Sequence, residues 1–118
     1  MDRHQNTIDR IFAVSPAVRY VALYREGQLN MRQGSNVSRA SGSESDRYEE
    51  LFINPALLTL VRQRGNLDCG GAKFILVRYG NFYQLVIDLR GGHASVCFEL
   101  SSNPLEYAAA ISAICENN

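Results

Sequence analysis

Three apolar runs of strand length, 72–79, 82–89 and 93–100, follow one another with only short Gly-containing joints, Gly80-Asn81 and Gly91-Gly92, between them. Glycine and asparagine tolerate the positive φ of two-residue hairpin turns, so successive runs are expected to pair as antiparallel neighbours in a meander. Both parities of these runs are apolar. Phe74 and Leu76 stand against Ile75 and Val77, and Phe82 and Val86 against Leu85, Ile87 and Leu89. A sheet apolar on both faces must lie between two covering layers, which excludes a one-sided sheet and demands helices above and below.

The rest of the chain supplies those covers. Ile8, Ile11 and Phe12 fall on one helical face, and Ser15-Pro16 ends that segment because a residue ahead of proline is pushed out of the helical region; a short amphipathic helix is expected over about 2–14. Val18 to Tyr24 is β-branched and aromatic, Glu26-Gly27 is a tight-turn pair, and Leu29 and Met31 alternate with polar residues, which predicts a hairpin with a half-exposed second strand. The segment 34–45 has almost nothing to bury and is expected to be a flexible polar loop within one domain spanning 1–118. Asp46 and Glu49 have the spacing of a capping box, so a middle helix is expected to start there and to run to Arg62 and Arg64, with Gly65 as its C-cap. Asn54-Pro55 interrupts it, as a kink or as a second N-cap with proline in the first turn. Asn103-Pro104-Leu105-Glu106 opens a closing helix whose stripe is Tyr107, Ile111, Ile114 and Cys115. The expected fold is α+β in three layers: order helix, strand, strand, helix, strand, strand, strand, helix, with the middle helix on one face of a five-stranded antiparallel sheet and the terminal helices on the other.

Composition narrows the function. With 118 residues, 46% hydrophobic and 20% charged, the chain has the make-up of one ordinary globular domain. Twelve basic residues balance twelve acidic ones, so no net field draws a polyanion, and nucleic acid is not an expected partner. No apolar stretch has the length of a signal peptide or a membrane span, and three widely spaced cysteines in apolar pattern suit reduced, buried thiols; a cytoplasmic protein with no membrane partner is expected.

Chemistry is not visible. His93, Ser95, Cys97 and Glu99 share one strand parity, yet residues four apart on a strand lie roughly 13 Å apart, too far for a Cys–His dyad. Cys97 reads as a small core hydrophobe. Gly70-Gly71 precedes a strand and Gly91-Gly92 joins two, whereas phosphate-cradling loops open helices. Glu49-Glu50 and the Glu44 to Asp46 group read as a dipole-favouring helix start. With no cofactor loop and no C-x-x-C spacing for a metal, a non-enzyme without cofactors is expected.

The middle helix carries the functional signal. Projected at about 100° per residue, Tyr48 and Phe52 point one way, Ile53 and Leu57 roughly opposite, and Leu51 and Leu58 lie between. One side can rest on the sheet, while the other asks for a second subunit, unless Asn54-Pro55 resets the helical phase and both halves face the same core.

The element order, together with the strand 18–24 ending at Glu26-Gly27 and the hairpin Tyr79-Gly80-Asn81-Phe82-Tyr83-Gln84-Leu85-Val86-Ile87, resembles the roadblock / dynein light chain family, which includes small bacterial regulators of Ras-like GTPases. The resemblance implies a homodimer, or a pairing with a sister subunit, in which middle helices pack together and third strands pair edge to edge. It implies a scaffold or GTPase-regulating role without a catalytic residue. The interface residues expected on this basis are Tyr48, Leu51, Phe52, Pro55, Leu58, Phe74 and Leu76. The rival is a small-molecule sensing domain of the PAS or profilin kind, which would need a cavity between sheet and helices that Tyr20, Phe74 and Phe98 either line or, as a filled core, simply occupy.

Overall fold

A computed structural model describes residues 3–35 and 42–117. Its elements are α1 (Arg3–Phe12), β1 (Val18–Arg25), β2 (Gln28–Gln33), α2 (Ser43–Tyr48), a π-helical turn (Glu49–Ile53), α3 (Asn54–Asp68), β3 (Phe74–Arg78), β4 (Tyr83–Leu89), β5 (Gly92–Phe98), a 3₁₀ turn (Pro104–Glu106) and α4 (Ala108–Glu116). The strands form one antiparallel sheet in the order β2-β1-β5-β4-β3, so the expected hairpin and meander join where β1 meets β5.

The two faces differ in character. Beneath α1 and α4 the sheet presents Val21, Leu23, Leu85, Ile87, Val96 and Phe98, which pack with Ile8, Ile11, Ile111 and Cys115 into an apolar core. The opposite parity, under the middle helix, carries Tyr20, Ala22, Gln84, His93, Ser95 and Cys97, and is buried although largely polar. Parity along β4 and β5 therefore separates a hydrophobic layer from a hydrogen-bonded one.

α2, the π turn and α3 form one continuous helical rod from Ser43 to Asp68, so Asn54-Pro55 neither stops nor restarts it. Pro55 lacks an N–H and would leave an α-helical carbonyl unpaired. The chain absorbs this just ahead of the proline: the Asn54 N–H donates to the Glu49 carbonyl five residues back, the wide turn of a π bulge. A second consequence concerns phase. In an ideal α-helix every fourth residue drifts by about 40°, and the wider π turn offsets part of that drift. Asp46, Glu50, Asn54, Leu58 and Arg62, four residues apart throughout, thus all reach the sheet side, through Gln33, Tyr20, Glu50, burial and Asp88 respectively.

Several boundaries differ from expectation for identifiable reasons. The middle helix starts at Ser43, after Gly42, so 43–45 are helical where a loop is expected; residues 36–41 of that loop lie outside the described residues. Asp46 lies inside the first turns and accepts from Gln33 Nε2 (3.1 Å), which leaves no capping box with Glu49. The helix also runs past Gly65 to Asp68. Gly65 is needed because the chain doubles back onto it: a Cβ there would lie 2.9 Å from the Gly71 carbonyl carbon, and the Gly65 carbonyl accepts from both Cys69 and Gly71. Glu26 and Gly27, at φ 52 and 79, form the expected β1–β2 turn. The β4–β5 turn is Arg90-Gly91, with Gly91 at φ 79, and Gly92 is already in β5. Asn103 caps as expected, accepting from the Leu105 N–H (3.2 Å), but the turn it opens is 3₁₀ and α4 begins only at Ala108.

Gly92 is the tightest point of the β1–β5 seam, since a Cβ there would run into the Tyr24 carbonyl. Gly92→Ala is expected to destabilise the fold by about 3 kcal/mol, because relief requires two paired backbones to part. Gly80→Ala, where a Cβ meets nothing and φ is not left-handed, is expected to stay within about 0.5 kcal/mol of wild type. Urea denaturation of the two variants measures the contrast.

Candidate functional site

The middle helix rests on the sheet through a polar seam. Glu50 is fully buried, and its carboxylate accepts from the Tyr20 hydroxyl (2.9 Å) and Asn54 Nδ2 (2.9 Å) and pairs with His93 Nε2 (2.8 Å). His93 is 2% exposed and lies against the Tyr24 ring, 5.7 Å between centroids. Three partners on one carboxylate satisfy a group that would otherwise be costly to bury. Below it Leu58 is buried, and Arg62 closes the seam on Asp88 at 3.1 Å.

Above the seam, where the first turns of the rod stand off the sheet, is a cavity of about 390 Å³. Its walls come from β1 and β2 (Arg19, Tyr20, Gln33), the helix (Asp46, Glu49, Glu50), the β3–β4 turn (Tyr79, Phe82) and the sheet floor (Gln84, Cys97). The Tyr79 hydroxyl reaches across from the turn to donate to Glu49 (2.7 Å). Burial holds the Glu49 carboxyl above its ordinary pKa, only partly opposed by that hydrogen bond, and burial next to Glu50 pushes both the Tyr20 and the Cys97 pKa well up.

Because the seam takes the polar row, several large apolar residues of the rod face outward. Tyr48 is 57% exposed and Phe52 62%, their rings 5.4 Å apart, and Leu60 and Leu67 continue the same side at 64% and 77%. Of the seven residues expected at an interface, Tyr48 and Phe52 are on this surface, with Leu51 and Pro55 half-buried beside them. Leu58 is not: it is 2% exposed, because its place in the every-fourth-residue row turns it to the sheet. Leu76 packs against the core under α1 and α4. Phe74, 39% exposed, pairs with Ile87 and shares that same face, so it looks away from the middle helix. The β3 residues on the helix side are Ile75 and Val77, half-buried and not among the seven expected interface residues. The edge of β3 itself is available, since its only strand neighbour among the described residues is β4.

Sequence reasoning missed the seam altogether. Its signal is the row Asp46, Glu50, Asn54, Arg62, polar residues at a spacing of four or eight along the helix. The expected strand parity of His93, Ser95 and Cys97 is correct, and they share the seam face; His93 pairs with Glu50, while Cys97 is buried beside the Gln84 amide with its thiol pKa raised by desolvation. Tyr20, Phe74 and Phe98 lie in the seam, at the sheet edge and in the apolar core respectively, and line no common cavity. Among the described residues no group of three His, Cys, Asp or Glu could hold a metal ion, and no helix is long and apolar enough to cross a membrane.

The sequence matches no model of a known protein family. No curated protein matches it in sequence either. Its structure is similar to that of the gliding protein MglB from Thermus thermophilus, with a TM-score of 0.64 over 98% of this chain and 90% of that one at 11% identity. At that identity the likeness carries the fold. The fold is the roadblock/longin-like one that the element order resembles, and the PAS or profilin reading is not favoured.

Proposed function

We propose that this chain is a non-catalytic, cytoplasmic interaction module that pairs with a second copy of itself or with a sister subunit, and that the pair scaffolds or regulates a small Ras-like GTPase. The observation that carries the reading is the inside-out middle helix, with a polar row inward and Tyr48, Phe52, Leu60 and Leu67 outward. Apolar surface arranged along one helix side is a mark of association, and a second copy of the same helix offers the matching stripe. The open edge of β3 supplies backbone donors and acceptors for a strand from the partner. The roadblock resemblance in sequence, and the likeness in fold to a gliding protein, support the GTPase connection.

Light scattering coupled to size exclusion is expected to give twice the 13.2 kDa chain mass at micromolar concentration. A monomer at every concentration up to about 100 μM, a Kd range where specific pairs are assembled, sinks the pairing. For the second half, affinity capture from the source cell is expected to retain a small GTPase whose nucleotide turnover changes when the module is added. Retention without any change in turnover leaves a scaffold; retention of no GTPase removes that part of the reading and leaves the dimer.

A further inference from the structure

Between Ser43 and Asp68 the rod buries Glu50, Asn54, Leu58 and Gly65, so Leu58 is the one large apolar side chain that it takes fully out of water. The much shorter α1 buries Ile8 and Ile11, and α4 buries Ala108, Ile111 and Cys115. Leu51, Ile53 and Leu57 of the rod are only half-buried. Among the described residues, the apolar clusters of the sheet include no side chain of the rod. What holds the rod is polar: Gln33 on Asp46, Tyr20 and His93 on Glu50, Tyr79 on Glu49 and Arg62 on Asp88. Space flanks this seam at both ends. The cavity of about 390 Å³ lies above it, and a cleft of about 420 Å³ lined by Tyr24, Leu58, Leu89 and His93 lies below.

Apolar burial is the main source of folding stability, whereas a buried ionic network returns little, because the cost of desolvation offsets the gain from pairing. The rod therefore has less to lose on leaving the sheet than α1 or α4 has. Segments with few buried apolar contacts open on their own, ahead of global unfolding. We propose that the rod Ser43–Asp68 is a lever that lifts off the sheet as one unit while the core under α1 and α4 stays folded. Its fixed end is the return to β3, where the Gly65 carbonyl accepts from Cys69 and Gly71. Its free end is the start, over the upper cavity and Cys97, which is 4% exposed on the cavity floor. Tyr48 and Phe52 ride on the outer side near that free end, so whatever grips them moves the rod against the sheet. The lever depends on the inner side of the rod and stands whether or not the outer side pairs.

The cysteines of the chain read this motion, since Cys97 lies under the rod and Cys69 is exposed. The full chain is alkylated with iodoacetamide, and each site is followed by peptide mass spectrometry. Reagent is kept low enough for the rate to stay proportional to its concentration, so that labelling tracks the open population. Cys97 is expected to react about 100-fold or more slowly than Cys69, yet at least about 30-fold faster than the unfolded fraction from urea denaturation allows. Leu58→Ala, placed at the lower cleft and away from Cys97, should speed Cys97 about thirtyfold, because the closed rod loses its buried apolar anchor. Ile111→Val, in the core under α4, should lower the urea midpoint and change Cys97 less than about twofold, because the open form keeps that core. The lever is overturned if Ile111→Val speeds Cys97 by about fivefold, the factor by which it favours global unfolding. It is equally overturned if Leu58→Ala leaves the Cys97 rate unchanged, which means that the thiol is reached with the rod in place. A Cys97 that reacts as fast as Cys69, or no faster than global unfolding permits, also removes it. None of these readouts involves the outer helix side, so failure here leaves the dimer reading intact, and the reverse.

Discussion

Glu50→Ala is expected to lower the unfolding free energy by about 3–5 kcal/mol, the range for removing one partner from a buried ionic network. The substitution strands the Tyr20 hydroxyl, Asn54 Nδ2 and His93 Nε2 together, since each has its hydrogen bond to the same carboxylate. It also empties the volume of a fully buried side chain. For a domain of this size that loss corresponds to a melting temperature lower by about 15 °C and approaches the whole stability of a marginal fold. The network itself is a poor source of net stability, because the cost of burying charge offsets most of the gain from pairing it. The triple replacement Tyr20→Phe, Glu50→Leu, His93→Leu is therefore expected to be more stable than Glu50→Ala alone. Urea midpoints for the two proteins decide it. If Glu50→Ala costs less than about 1 kcal/mol, within the spread of surface substitutions, the rod is held by Leu58 and the Arg62–Asp88 pair, and the carboxylate is incidental.

That network also shows where sequence reasoning succeeds and where it stops. Glu26-Gly27 was legible because the positive φ of a tight turn is a requirement on two adjacent residues, met or not met locally. The meander was legible for the same reason, down to the parity of β4 and β5. Glu50 was not. Its partners Tyr20 and His93 are 30 and 43 residues away, so nothing in its neighbourhood distinguishes it from a carboxylate placed to favour a helix dipole. Gly65 reads as a helix end for similar reasons: the contact that requires it, with the returning backbone at Gly71, exists only once the chain has turned. A projection at an unbroken step of about 100° gives the middle helix two apolar sides. The π turn before Pro55 alters that step in mid-helix and brings the polar row to the sheet, so Leu58 lies inside while Phe52 lies outside. The proposed pairing is compatible with this correction, since Tyr48, Phe52, Leu60, Val61 and Leu67 are exposed on the rod.

Phe52→Asp is expected to raise the dimer dissociation constant by about 100-fold or more, while changing monomer stability by less than about 1 kcal/mol. The two magnitudes separate because they read different surroundings. In a single chain Phe52 is 62% exposed and its ring lies against that of neighbouring Tyr48, so the fold loses little with it. Between two helices the same ring is an aromatic anchor, the type that dominates interface energies at about 2 kcal/mol or more each. Aspartate there adds an unpaired charge that pairing would bury. Sedimentation equilibrium gives the association constant and denaturation of dilute protein gives the fold. Leu67→Asp tells how far the interface extends, since Leu67 is on the same side at 77% exposure, about four helical turns further along. If both variants dissociate the pair, the helices meet along their whole length, as antiparallel or parallel neighbours with a continuous stripe. If only Phe52→Asp does so, contact is confined to the end that carries Tyr48, and the exposed stretch from Leu60 to Leu67 is left for a different partner. A Phe52→Asp protein that stays dimeric moves the interface off this helix, and the open edge of β3 then becomes the surface that pairs.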